Sequence, residues 1–147
     1  MHIEISLSLP RERESVSAVR RVVGSAMTEF GVEPSCVSDV VLALTEGCAN
    51  AVRHARASER YHVTFVLDRQ TARVTIADDG GGFPLNGVRR MAGALAEGGR
   101  GLALMEMLMD RTAFRVEDGG GTQVELTKHV ELVDESLLGG DLMPESS

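Results

Sequence analysis

A chain of 147 residues is long enough for one domain with a proper core, and a formal charge of −7 argues against nucleic acid as the main partner, because such binding is driven by phosphate neutralisation. With no Trp, one Tyr and four Phe, that core must be built mainly from Val, Leu, Ala and Met. No apolar run approaches the ~18 residues of a membrane span, and the opening MHIEISLSLP alternates instead of following a signal-peptide pattern, so the expectation is a cytoplasmic protein with no membrane partner.

Residues 2–9 alternate, with Ile3, Ile5, Leu7 and Leu9 on one side and Glu4, Ser6 and Ser8 on the other, which predicts a half-buried strand ended by Pro10. From Glu12 to Phe30 the period becomes helical, with Val16, Val19, Val23, Ala26 and Phe30 as its apolar stripe. Arg11, Arg13, Arg20 and Arg21 are interleaved with Glu12 and Glu14 and read as a solvated face. Gly31 suits the end of this helix, and Pro34 the first turn of a second one running to about Ala57. Cys36 and Cys48 on that helix stand about 18 Å apart along its axis, beyond the ~7 Å limit for a disulfide. Both are read as small apolar residues.

Residues 61–67 alternate again through Tyr61, Val63, Phe65 and Leu67, and a polar turn over Asp68 to Thr71 joins them to a strand at 73–77. Asp78, Asp79 and the glycines that follow stop regular structure. Residues 84–98, with Pro84, Asn86, Gly87, Gly93 and Gly98, predict a mobile loop with a short helical turn around Arg89 to Leu95. Gly101 to Met109 predicts a buried helix, and 112–117 and 122–128 two strands around Gly119-Gly120-Gly121. The predicted fold is α/β: a two-layer α/β sandwich of about five mostly antiparallel strands with three helices on one face. It fills a single domain, 1–130. Residues 131–147 are acidic, with Leu137, Leu138, Leu142 and Met143 as their apolar positions, and predict a flexible tail.

The chemistry concentrates on the stretch Leu44 to Ala55. Residues four apart on a helix stack, so Glu46, Asn50 and His54 form one polar stripe, with Val41, Leu44, Cys48, Ala51, Val52 and Ala55 on the roughly opposite side. Such a stripe is also what any amphipathic helix presents to water. Glu46 and Asn50 offer oxygen ligands to a hard cation such as Mg²⁺, which takes few ligands from protein and the rest from phosphates and water. Asp78, at a strand end before glycines, can accept a hydrogen bond from an amino group while the backbone approaches a flat ligand; a tight turn is the plainer reading. Gly99-Arg100-Gly101 opens a helix whose free N–H groups suit an anion, or else is a simple flexible entry. No Walker A or protein-kinase signature is present.

In that order these motifs resemble the GHKL ATP-binding superfamily, and most closely the bacterial anti-sigma-factor serine kinases within it. The resemblance covers residues 3–129. Its N-box is matched by Glu46-Gly47-Cys48-Ala49-Asn50-Ala51-Val52-Arg53-His54-Ala55, and its first glycine box by Asp78-Asp79-Gly80-Gly81-Gly82-Phe83. The second glycine box is matched by Gly99-Arg100-Gly101-Leu102, a later segment by Met105-Glu106-Met107-Leu108-Met109-Asp110, and the closing pair by Gly121-Thr122.

The resemblance implies roles at these positions. Asn50 would bind Mg²⁺, Asp78 would accept from the adenine amino group, and Gly80 and Gly82 would shape the turn beneath the base. Gly99, Gly101 and Leu102 would frame the phosphate-binding helix start, with Arg100 in the lid region. Thr122 would support the adenine side, and Glu46 would act as general base on an incoming serine hydroxyl. His54 would take a structural place near the phosphates. The implied protein uses ATP and Mg²⁺, holds a sigma factor, phosphorylates an anti-sigma-factor antagonist and forms a homodimer. Two alternatives stay open: a nucleotide-dependent binding module without transfer activity, and a stand-alone ATPase domain acting on another protein's histidine. No dimerisation helix pair with a phosphoaccepting His is present, nor a transducer domain.

Overall fold

The computed structural model describes residues 1–54, 60–78, 99–116 and 121–133. The alternating segments form β1 (His2–Pro10), β2 (Arg60–Asp68), β3 (Thr71–Asp78), β4 (Arg111–Val116) and β5 (Thr122–His129). They make one sheet in the order β1-β2-β3-β5-β4, and every neighbouring pair is antiparallel. Register places the inward residues in rungs across the strands. Ile5, Phe65, Val74, Leu126 and Thr112 form one rung, and Leu7, Val63, Ile76, Val124 and Phe114 the next. The other face carries polar and small side chains, with Glu125 paired to Arg73 (3.8 Å) and Arg115 (3.6 Å).

Three helices, among the described residues, complete the fold: α1 (Arg13–Glu29), α2 (Pro34–His54) and α3 (Gly99–Leu108). The buried stripe of α1 is Ser15, Val19, Val23 and Met27, a strict spacing of four; Val19 and Val23 were expected there, Val16 and Ala26 pack half-buried against the core, and Ser15 and Met27 take the places at its two ends. Phe30 is the C-cap residue and is 47% exposed, because the chain turns away at Gly31, whose φ of +85° suits a residue without Cβ. On α2 the buried positions are Cys36, Val40, Ala43, Leu44, Gly47, Cys48 and Ala51, and Val41, half-buried, faces the α1 side, in contact range of Gly24. By length and hydropathy the segment Pro34–Arg53 does pass as a membrane span, contrary to the expectation of no such run. Its apolarity has another use here, since this is the core helix of the sandwich.

α2 also holds α3 at both ends. Near the C-terminus of α3, Lys128 Nζ donates to the carbonyl of Leu108 (2.7 Å) and pairs with Asp39 of α2 at 3.1 Å. A cation there satisfies an orphan carbonyl and complements the helix dipole. At the other end, the Glu46 carboxylate lies against Gly101 in the first turn of α3. The two helices therefore run antiparallel.

Pairing continues past the expected domain boundary at residue 130. Glu33 N–H donates to Glu131 (2.8 Å), Val32 bridges to Leu132, and Val133 N–H donates to Gly31 (2.6 Å). The remaining tail, 134–147, lies outside the described residues, as does the expected loop at 84–98.

The β2–β3 turn is held by Asp68, whose carboxylate accepts from the N–H groups of Gln70 (2.7 Å) and Thr71 (2.8 Å). Those bonds, Gln70 first, hold its pKa below the ordinary carboxylate value. The folded state thus binds this proton less readily than the unfolded state does. The stabilisation is present above the unfolded value and is lost as pH falls through the lower folded one. Asp68→Ala is expected to unfold at lower urea than wild type at pH 7, with the gap closing as pH drops below about 4. A gap that persists at pH 2 would assign the turn to something other than the ionised carboxylate.

Candidate functional site

One rung of the sheet is unlike the others. It reads Leu9, Tyr61, Asp78, Thr122, Val116 across β1, β2, β3, β5 and β4. Asp78 is the last residue of β3, is 8% exposed, and accepts a hydrogen bond from Thr122 Oγ1 at 2.8 Å. A carboxylate buried to that degree costs free energy unless hydrogen-bonded, and Thr122 supplies one such bond from the adjoining strand. Asp78 and Thr122 are 44 residues apart in sequence and are brought opposite one another by the β3–β5 register.

The next strand residue inward, Ile76, fixes where α2 crosses the sheet. A methyl group at Gly47 would overlap Ile76 Cδ1, so glycine here lets the helix close onto β3. That approach sets the depth of Glu46 and Asn50, both half-exposed beside it. A Cβ built at Gly101 would stand 2.8 Å from Glu46 Oε1, so the carboxylate occupies the space that a side chain there would take. Gly101 lies in the first turn of α3, whose backbone N–H groups have no partner within the helix. A negative group is favoured at such a helix start. Asn50 Oδ1 accepts from Arg53 Nη2 at 2.6 Å, one turn further along α2. Between them, burial pushes the Cys48 thiol up to about 12, so it stays protonated and acts as packing.

The structure thus brings together Asp78 with Thr122, and Glu46 with Gly101. Leu102, at 7% exposed, anchors the start of α3 in the core. Gly80 and Gly82 lie outside the described residues, and so do the side chains of His54 and Arg100. Among the described residues no group of three His, Cys, Asp or Glu side chains is placed to hold a metal by itself. Asn50 supplies an oxygen of the type that Mg²⁺ prefers, and Arg53 is in contact with that oxygen here.

Three contributors were missed from sequence. Gly47 passed as a helix residue, Tyr61 as one more alternating apolar residue, and Lys128 as part of a strand. A lysine at an inward position of β5, two residues after Leu126, was the available signal for the last.

The chain has relatives among known proteins. The profile of the histidine kinase-like ATPase domain matches residues 9–128, and the chain belongs to that family. Within it, the chain is 31% identical over 138 residues to the serine-protein kinase RsbW of Bacillus velezensis, covering 86% of this chain and 85% of the relative. It is 29% identical over the same length to RsbW of Bacillus subtilis, with the same coverage. Among solved structures, the RsbU and RsbW domains of Rv1364c from Mycobacterium tuberculosis match with a TM-score of 0.68 at 22% identity, over 90% of this chain and 35% of that one. The SiaB–SiaC complex from Pseudomonas aeruginosa matches with a TM-score of 0.57 at 13% identity, over 85% of this chain and 89% of that chain. Both carry the same fold. The expected α/β sandwich and the expected family are therefore borne out.

Proposed function

We propose that this chain is an anti-sigma-factor serine kinase: it binds Mg-ATP, holds a sigma factor, and phosphorylates a serine of an anti-sigma-factor antagonist. The observation that carries the reading is the buried Asp78–Thr122 pair, set at the sheet end and joined through Ile76 and Gly47 to the helix that bears Glu46 and Asn50. The similarity to RsbW serine-protein kinases supports the reaction class.

In this reading Asp78 accepts from the adenine amino group, with Thr122 holding the carboxylate in place. Gly80 and Gly82 let the backbone pass beneath the base. The first turn of α3, Gly99 to Leu102, presents N–H groups to the phosphates, and Arg100 adds a cation there. Asn50 would hold the metal through Oδ1, and Arg53, which now donates to that oxygen, would have to leave it, since a guanidinium and a divalent cation repel. Mg²⁺ when bound supplies charge neutralisation on the phosphate oxygens. Glu46 accepts the proton of the incoming serine hydroxyl, and its place beside the phosphate-binding turn puts the base next to the transferred group. The same reading includes a homodimer in the cytoplasm, for which the family resemblance is the support.

Calorimetric titration with ATP, with and without Mg²⁺, tests the site. Binding strengthened by Mg²⁺ is the expected result, and absence of binding in both conditions would leave the chain as a partner-binding module.

A further inference from the structure

Tyr61 is the only tyrosine in a chain without tryptophan, and it is fully buried. Phe would fill nearly the same volume, so the hydroxyl calls for its own account. It lies 2.6 Å from Ser15 Oγ. Ser15 Oγ also stands 2.7 Å from the carbonyl oxygen of Glu12 and donates to it. A serine hydroxyl has one proton, so the phenol is the donor between the two hydroxyls. Burial raises the Tyr61 pKa to about 12, and the phenol keeps that proton at neutral pH.

Ser15 is itself 6% exposed and sits in the first turn of α1, where the N-cap residue Glu12 makes no side-chain capping bond. On its other side, Tyr61 is the direct cross-strand partner of Asp78. Partners in antiparallel strands have Cβ atoms about 5 Å apart. One line of contacts and pairings therefore runs from the Glu12 carbonyl through Ser15, Tyr61 and Asp78 to Thr122.

We propose that the Ser15–Tyr61 hydroxyl pair is a positioning element of the nucleotide site, pinning the Tyr61 ring to α1 so that the ring forms a fixed wall beside the Asp78 carboxylate. The inference rests on the reading of Asp78 as the adenine acceptor. Recognition through one carboxylate is sensitive to displacements below an ångström, and a ring held only by packing can tilt where a ring held at its far end cannot. The first turn of α1, more than 60 residues from Asp78 in sequence, thereby becomes a determinant of nucleotide affinity. Neither hydroxyl touches the nucleotide.

The test combines ATP affinities, measured well below each thermal midpoint, with fluorine NMR of full-length protein carrying 3-fluorotyrosine, which reports on Tyr61 alone because it is the sole tyrosine. Ser15→Ala and Tyr61→Phe are each expected to weaken ATP binding about fivefold, and Ser15→Thr, which keeps the hydroxyl, to retain wild-type affinity. The resonance is expected to shift with ATP in wild type. Wild-type affinity in Ser15→Ala or Tyr61→Phe, or a loss that Ser15→Thr fails to rescue, would overturn the inference while ATP binding by wild type leaves the proposed function standing. No ATP binding by wild type would overturn both.

Discussion

Asp78→Asn is expected to weaken ATP binding by about ten- to a hundredfold, with the thermal midpoint of the nucleotide-free protein nearly unchanged. The substitution keeps shape and volume, and Thr122 Oγ1, now 2.8 Å from the Asp78 carboxylate, can still bond to the carboxamide oxygen. It removes the charge from the acceptor and can turn an NH₂ group toward the base. A hydrogen bond to a charged group contributes about 1.5–3 kcal/mol, and each 1.4 kcal/mol is a factor of ten in Kd. Because Asp78 is 8% exposed, water cannot readily take over the lost acceptor. Calorimetry on wild type and variant in parallel reads the difference. Equal affinities would place the base elsewhere on the protein.

The larger effect on rate is expected from Glu46→Gln: ATP affinity within about threefold of wild type, and phosphoryl transfer to a serine of the antagonist reduced by roughly 10²–10⁴-fold, the usual contribution of a positioned general base. The glutamine fills the same space against Gly101, so α3 keeps its contact with α2 and its first turn stays in place. What is lost is the acceptor for the hydroxyl proton. Incorporation of labelled phosphate into the antagonist, with ATP saturating for both proteins, separates binding from transfer. Full transfer by the variant would reduce Glu46 to a packing role at the start of α3.

Local patterns were legible in the sequence because they obey periods of 2 and 3.6 residues. The first three strands, the first two helices and the polar stripe of Glu46 and Asn50 follow from spacing, while β4, β5 and the third helix among the described residues were marked by glycine signals and an apolar run. Phe30 was misplaced for a related reason: apolarity names candidates for a buried face, but the path of the chain after α1 decides which are covered. Phe30, at 47% exposed, loses its place to Met27, which is fully buried. The site was legible only as separate motifs. Joining Tyr61, Asp78 and Thr122 into one rung needs the registers of β2, β3 and β5, which are long-range facts. The contacts of Gly47 with Ile76 and of Gly101 with Glu46 likewise depend on how closely two helices approach their neighbours. No local rule marks them, because glycine in a helix ordinarily reads as a weak point.

The hold of α2 on both ends of α3 makes α2 a ruler. Asp39 and Glu46 are seven residues apart, close to two full turns, so they emerge on one side of the helix. Their partners, Lys128 with the Leu108 carbonyl and Gly101, stand at the two ends of α3. A single residue inserted or deleted between 39 and 46 would rotate one mark relative to the other by about 100° and slide it by about 1.5 Å. Either Lys128 would lose its carboxylate or Glu46 would leave the first turn of α3. Changes of length within those two turns of α2 are therefore excluded, whereas substitutions on their outer surface are not.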